Sequence, residues 1–324
     1  MTWIGLEIGV ERIIGAVLDG GHVPLGTARV ETPRGGHPHA VIQAALGVAR
    51  PLARRYGPVT AMGVAFPGLV DDANNGIDSA AVMPEFAGVR LASRLSDELA
   101  LPCIVENDAI CVGFGEYAVL GKPAGLDMIA LTVNTGIGGA IILDGRFHRG
   151  RAYAAGEFGK TTIDWQGGDG TEHRGSLNAL ASGAAISRSA WEHLAASKDS
   201  LLRGHVTPPS VEEVARVAEK GDELATQVIV DAARALGVGV ANFINILNPD
   251  RVVLSGTVAG LGQAYLDTVI AEAQRRTFRR TFRDCEIAVS KLGEKAAALR
   301  AARLACDEAI QQRPAGTRDA SVAG

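Results

Sequence analysis

Three polar side chains stand together at Glu106, Asn107 and Asp108, between an apolar run (Cys103 to Val105) and small and apolar residues at helical spacing. A carboxylate at such a junction is held by the backbone yet stays reachable, and a general base needs both. The ends of buried strands are also where open α/β sheets collect ligands. A second reading needs no chemistry. Asn and Asp cap helices, because their side-chain oxygens accept the unpaired N–H groups of the first turn.

Two glycine turns offer a different chemistry. In Asn134 to Gly139, NTGIGG, consecutive glycines let backbone N–H groups converge on an anion, and Thr135 adds a hydroxyl donor. The same glycines also suit a tight hairpin with no ligand. The motif lacks the GK[ST] ending of a Walker loop and is not a complete dinucleotide-binding GxGxxG. A second turn surrounds Gly9. Two such turns facing one another at hairpin tips would clamp a triphosphate. The Glu7 carboxylate could then hold hydrated Mg²⁺, which prefers oxygen ligands and keeps several waters.

Elements of an α/β protein surround these residues. Strands are expected at Trp3 to Ile8, Arg12 to Leu18 and Val23 to Val30, with a hairpin at Asp19 to Gly21. A helix over His39 to Tyr56 carries an apolar stripe of Ile42, Ala45, Leu46, Val48, Ala49 and Leu52. Thr60 to Phe66 reads as a strand, Arg90 to Leu99 as a helix, Cys103 to Val105 as a strand and Ala109 to Leu120 as a helix. The opening pattern then returns, since Ile4 to Gly20 aligns with Ile129 to Gly145. Such a recurrence suggests two related lobes. Helices are expected from Leu177, over Ser210 to Lys220 and over Asp222 to Ile246, the last stopped by Asn248-Pro249. A strand at Arg251 to Leu254, a helix over Gly262 to Phe278, a strand at Glu286 to Ser290 and a helix over Gly293 to Gln311 complete the chain.

The 324 residues exceed one average core. Residues 1–118 with 293–312 are expected to form a smaller N-terminal lobe with a closing C-terminal helix, 119–292 a larger lobe, and 313–324 a flexible tail. A net charge of −4 with no basic block argues against nucleic acid and anionic membranes as partners. Cys103, Cys111, Cys285 and Cys306 form no close-spaced pair, which fits a reducing compartment. No signal peptide and no uninterrupted membrane-length apolar span is visible, so a cytoplasmic protein is expected.

Taken in order, these segments resemble the ROK sugar kinases of the actin-like ATPase superfamily. The matching residues include Gly63 to Asp71 (GVAFPGLVD), Met83 to Leu91, Glu106 to Ala109 (ENDA), Gly113 to Glu116, Asn134 to Gly145, Ala154 to Lys160 (AAGEFGK), Leu180 to Gly183 and Ile244 to Gly256. The resemblance implies two RNase H-like lobes closing on a cleft, with ATP, Mg²⁺ and a small sugar-like acceptor between them, and a homodimer. It implies Asp108 as the base that takes the attacking hydroxyl's proton. It places Gly68, Asn107, Glu157, Lys160 and Asn178 on the acceptor, and Gly9, Arg12, Thr135, Gly136, Gly138, Gly256 and Thr257 on the nucleotide. Glu7 would assist the metal through water.

Three departures from the family pattern shape the expectations. The first phosphate loop reads Glu7-Ile8-Gly9-Val10-Glu11-Arg12, where the family usually has D-x-G-G-T-K. Glu for Asp moves the carboxylate outward by roughly 1.5 Å. Val10 narrows the allowed backbone, and Glu11 brings negative charge near the phosphates; Arg12 offsets it or is a surface residue. The family's zinc cluster is missing: no cysteine lies between Cys111 and Cys285, Lys160 stands at the histidine position, and His173 alone cannot build a tetrahedral site. No zinc is expected, so ordinary bonds must hold Asp164 to Gly175. Lastly, Lys160 and Asn178 replace a His and a Glu on the C1/C2 side of a hexose. That favours a modified sugar or a cyclitol, unless Lys160 merely pairs with Glu157 or Asp164. A catalytically silent sugar sensor is the alternative. The family's DNA-binding repressor branch is disfavoured by the first strand starting at Trp3 and by the negative charge.

Overall fold

The structure, a computed structural model, describes residues 1–21, 23–71, 76–167, 175–292, 298–299, 301 and 303. The chain divides into two compact units: Met1–Gly115 with the described part of Glu294–Gly324, and Glu116–Gly293.

The first unit is built on β1 (Thr2–Ile8), β2 (Arg12–Asp19), β3 (Pro24–Glu31), α1 (Pro38–Tyr56), β4 (Val59–Phe66), a small hairpin of β5 (Leu69–Asp71) and β6 (Gly76–Ser79), α2 (Leu91–Leu99) and β7 (Cys103–Asn107). Helix α3 (Asp108–Val119) follows with no intervening loop. The sheet order is β3-β2-β1-β4-β7; β1 to β3 are antiparallel, and β1, β4 and β7 run parallel. Strand alternation sorts the two faces. Ile4, Leu6 and Ile8 join Met62, Val64, Phe66 and Val105 in the core with the α1 stripe, every expected member of which is buried. Trp3, Leu18 and Ala61 lie on the reverse face with Leu299. Glu7 shares that reverse face, in line with Ala65 and Glu106 across three parallel strands.

The second unit contains β8 (Met128–Val133), β9 (Ile137–Leu143), β10 (Arg146–Phe147), α4 (Leu177–Ala181), α5 (Gly183–Leu194), α6 (Val211–Ala218), α7 (Glu223–Leu247), β11 (Arg251–Ser255), α8 (Gln263–Arg276), α9 (Arg279–Arg283) and β12 (Glu286–Val289). Its sheet order, β10-β9-β8-β11-β12, repeats the pattern of the first, with an antiparallel hairpin followed by parallel strands. The internal echo is therefore a repeat of topology. The match slips by one residue at the turn: Ile8 pairs with Ile13, whereas Val133 pairs with Ile137. The second turn is the tighter one.

Several elements differ from expectation. The β5–β6 hairpin and α9 are too short to show a hydrophobic period. The helix expected from Leu177 is two helices, because Ser176 and Ser182 each cap a new start by accepting from Ala179 N and Ala185 N. Helix α7 has the length and apolar composition of a membrane span, where no such span is expected from the sequence. Its Leu236, Val240 and Ile244 are buried in the core of this unit. Of the expected C-terminal helix, only Ala298, Leu299, Ala301 and Arg303 are described, all helical. The tail 313–324 and His173 lie outside the described residues.

Asp222 holds one corner of the second unit. Buried at the N-terminus of α7, it accepts from Ala225 N on one oxygen (2.9 Å) and from Ser200 Oγ (2.9 Å) and Leu201 N (2.5 Å) on the other. Burial pushes its carboxyl pKa up, but these donors together hold it below the ordinary value. A depressed folded-state pKa contributes stability that is complete above the unfolded value near 3.9 and fades as pH falls through the folded one. Asp222→Ala is expected to cost about 1–2 kcal/mol near neutral pH. Urea unfolding should show that difference shrinking below pH 4, and a pH-independent difference would contradict it.

Candidate active site

In the first unit the parallel strands β1, β4 and β7 end side by side, and the polar residues collect there. Asn107 is the last residue of β7 and Asp108 the first of α3. The Asn107 side chain caps that helix: Oδ1 accepts from Ala109 N (2.9 Å) and Ile110 N (3.2 Å), while Nδ2 donates to Gly68 O (3.0 Å). The capping reading of Asn107 is thus present in the geometry, and its amide still has a second hydrogen. Gly68 is pressed against backbone, since a Cβ there would lie 2.7 Å from Ser79 O. Asp108 is half-buried and not sealed in packing; its Oδ1 accepts from Ala109 N at 2.8 Å. Glu106 is buried and accepts from Asn107 N. The nearby Cys103 thiol is pushed up to about 12 by burial, so it offers no thiolate nucleophile.

The turn from Gly9 to Arg12 is braced from one side by Thr32. Gly9 N donates to Arg12 O (2.9 Å), Thr32 Oγ1 to Gly9 O (2.7 Å) and Thr32 N to Glu11 O (2.9 Å). The Gly9 N–H is therefore committed within the turn, and the donors left to meet an anion are the N–H groups of Val10 and Glu11. Both side chains are exposed, and Arg12 is half-buried. Thr32 carries no motif, and no local pattern marks it.

In the second unit, Thr135 and Gly136 are exposed at the β8–β9 turn, with Gly138 half-buried behind them. Asn178 Oδ1 accepts from Ile137 N (2.9 Å), and the first N–H groups of α5, Gly183 and Ala184, donate to Asn134 O (2.7 Å) and Thr135 O (3.2 Å). The helix N-terminus thus stiffens the turn. Asn134 Oδ1 accepts from Thr257 N (2.9 Å), tying this turn to the loop after β11. Gly256 sits there at φ +99°, where a Cβ would meet Asn134 Oδ1 at 2.5 Å and Val133 O at 2.6 Å. Asn134 was not singled out from sequence, because its role depends on a residue 123 positions away.

Glu157 and Lys160 lie on a loop laid against β9. Added Cβ atoms at Gly156 and Gly159 would come within 2.3 Å of Gly139 O and Ile137 O. Phe158, between them, is buried against Phe243 with ring centroids 4.5 Å apart. Lys160 Nζ lies 3.6 Å from Glu157 Oε2, and both side chains are partly exposed. Beyond it, the described ends of Asp164 to Gly175 are closed by backbone bonds: Ile163 N and Asp164 N both donate to Gly175 O. Gly175 has φ +64°, and a Cβ would overlap Asp164 O at 1.6 Å. Trp165, in the same segment, is 84% exposed. Among the described residues no three His, Cys, Asp or Glu side chains are grouped to hold a metal ion.

The order and spacing of these segments match the sequence pattern of the ROK family over residues 3–308. The chain belongs to the ROK family. It is 28% identical over 248 residues to the xylose repressor of Caldicellulosiruptor bescii, covering 74% of this chain and 61% of that protein. It therefore spans less than two thirds of that repressor. It is also 28% identical over 312 residues to the glucokinase of Streptomyces coelicolor, covering 93% of this chain and 96% of that enzyme. Among solved structures, the ROK glucokinase of Streptomyces griseus in complex with glucose and AMPPNP superposes with a TM-score of 0.82 at 28% identity, over 95% of this chain and all of that one. The fold is accordingly that of the ROK sugar kinases, with mixed α/β units of the actin-like ATPase type.

Two ROK departures acquire a structural form. Asn178, which the resemblance implies at an acceptor contact, spends its carbonyl on the β8–β9 turn. In the first loop, Thr32 closes a turn whose exposed residues are Val10 and Glu11. The donor set at Glu7, a single half-buried carboxylate at a strand end, fits a cation that keeps most of its own water. It does not fit a dehydrated metal cage.

Proposed function

We propose that the protein is an ATP-dependent kinase that phosphorylates a hydroxyl of a hexose-like, modified-sugar or cyclitol acceptor in the cytoplasm. The observation that carries the reading is the Asp108 carboxylate. It is half-buried, is oriented by the Ala109 N–H, and stands beside Asn107 at the mouth of three parallel strands. Phosphoryl transfer is mostly positioning and charge neutralisation, with one base receiving the nucleophile's proton. In this reading Asp108 is that base, and the second amide hydrogen of Asn107 orients the acceptor. Glu157 accepts from acceptor hydroxyls, with its charge balanced by Lys160, while Gly68 shapes the pocket wall. Thr135, Gly136, Gly138 and the Gly9 turn with Arg12 hold phosphates, and Gly256 with Thr257 flanks the adenosine. Glu7 would hold Mg²⁺ through water, and the ion when bound neutralises charge on the phosphates.

Lys160 and Asn178 present donors where the family resemblance implies a histidine and an acid, which supports an acceptor with no free anomeric hydroxyl. The test is ADP release with ATP and Mg²⁺ across a panel of hexoses, N-acetylhexosamines and cyclitols. Acceptor-dependent release is expected, with the best acceptor modified or lacking at the anomeric position. Acceptor binding with no ADP release would favour a sensor, a reading supported by Val10 and Glu11 in the first turn. Release that ignores the acceptor would indicate a plain ATPase.

A further inference from the structure

We propose that Asn134 binds the nucleotide directly, its amide donating to a phosphate oxygen while its carbonyl locks the adenosine loop. This rests on the reading above that the β8–β9 turn and the Gly256–Thr257 loop hold ATP. The argument starts from the orientation of one carboxamide. Thr257 N–H is a donor, so the Asn134 atom 2.9 Å away must be the oxygen. The Asn134 backbone is also fixed, with N donating to Gly136 O (2.9 Å) and O accepting from Gly183 N (2.7 Å). With Oδ1, N and O all committed, the side chain cannot turn over, and Nδ2 faces away from Thr257. Asn134 is exposed, and among the described residues Nδ2 makes no hydrogen bond.

The place this donor occupies is set by the sheet. Strands β8 and β11 are parallel neighbours, Thr132 opposite Ser255, so the turn after one and the loop after the other start side by side. Neighbouring strands lie about 4.8 Å apart. A phosphate chain running from the Gly256–Thr257 loop to the Thr135–Gly136 turn must therefore pass Asn134. Gly256 confirms how close the two backbones come, since any side chain there would strike Asn134 Oδ1. A neutral amide suits this position: its oxygen accepts from one loop and its nitrogen donates to the ligand, while no charge is added.

Two variants separate these jobs. Asn134→Asp keeps an acceptor for Thr257 N–H but replaces the donor with negative charge; Asn134→Ala removes both. Dissociation constants for ATP and for adenosine would be measured by calorimetry, beside melting of the unliganded protein. Asn134→Asp is expected to melt with wild type, to bind ATP about tenfold or more weakly, and to bind adenosine within about twofold of wild type. Asn134→Ala should weaken both ligands and lower the melting temperature. Unchanged ATP affinity in Asn134→Asp would overturn the proposal and leave a purely structural tie. Wild-type protein that binds no adenine nucleotide would instead overturn the reading beneath it.

Discussion

Asp108→Asn is expected to lower acceptor-dependent ADP release by about 10²- to 10⁴-fold, the usual contribution of a positioned general base, while the protein folds as before. The structure supplies the reason for the second half. Asp108 opens α3, and its Oδ1 accepts from Ala109 N at 2.8 Å. Asparagine has the same shape and keeps an oxygen acceptor for that N–H. What it loses is basicity and a negative charge near a helix N-terminus, the latter being about 0.3–1 kcal/mol. Asn107→Ala provides the contrast. It removes the acceptor for Ala109 N and Ile110 N and the donor to Gly68 O, so its cost falls on stability as well as on turnover. A large loss of activity with melting lowered by no more than a few degrees belongs to a proton acceptor, whereas a coupled loss of both belongs to a cap. Full turnover in Asp108→Asn would end the kinase mechanism proposed here.

That contrast also shows where sequence is a sufficient guide. The strand–helix junction at Asn107 and Asp108 was legible because it is local: an apolar run, three polar residues, then small and apolar residues at helical spacing. The paired hairpins were legible for the same reason, since Ile4 to Gly20 and Ile129 to Gly145 each spell strand, turn and strand. Contacts made across the chain leave no such trace. Thr32 bracing the first turn, Asn134 reaching Thr257 and Asn178 holding Ile137 each depend on which elements become neighbours. Asn178 shows the subtler limit. Its position matched a family acceptor contact, but its carbonyl serves the neighbouring turn, leaving the amide hydrogens as what it can offer a ligand.

The glycines around Glu157 lead to the second large effect: Gly156→Ala is expected to destabilise the protein and to impair the acceptor far more than the nucleotide. Gly156 has φ +99°, a region that costs an L-residue about 1–3 kcal/mol. Its Cβ would also lie 2.3 Å from Gly139 O, a backbone atom inside β9 that has no rotamer with which to yield. Gly139 cannot retreat, because that strand is hydrogen-bonded to β8 and itself passes close to Ala130 O and the Phe158 ring. The loop must therefore lift, drawing Phe158 from Phe243 and moving Glu157 with it. Because the first N–H groups of α5 hold Asn134 O and Thr135 O, the nucleotide determinants should move less. At roughly 2–4 °C per kcal/mol for a domain of this size, a drop of several degrees in melting temperature is expected. Acceptor KM should rise at least tenfold, while ATP affinity measured without acceptor stays within about threefold, the split expected when a mutation removes binding from one substrate alone. Wild-type melting together with wild-type acceptor KM would mean that the Glu157 loop does not rest on β9, and the glycine seat would have to be abandoned.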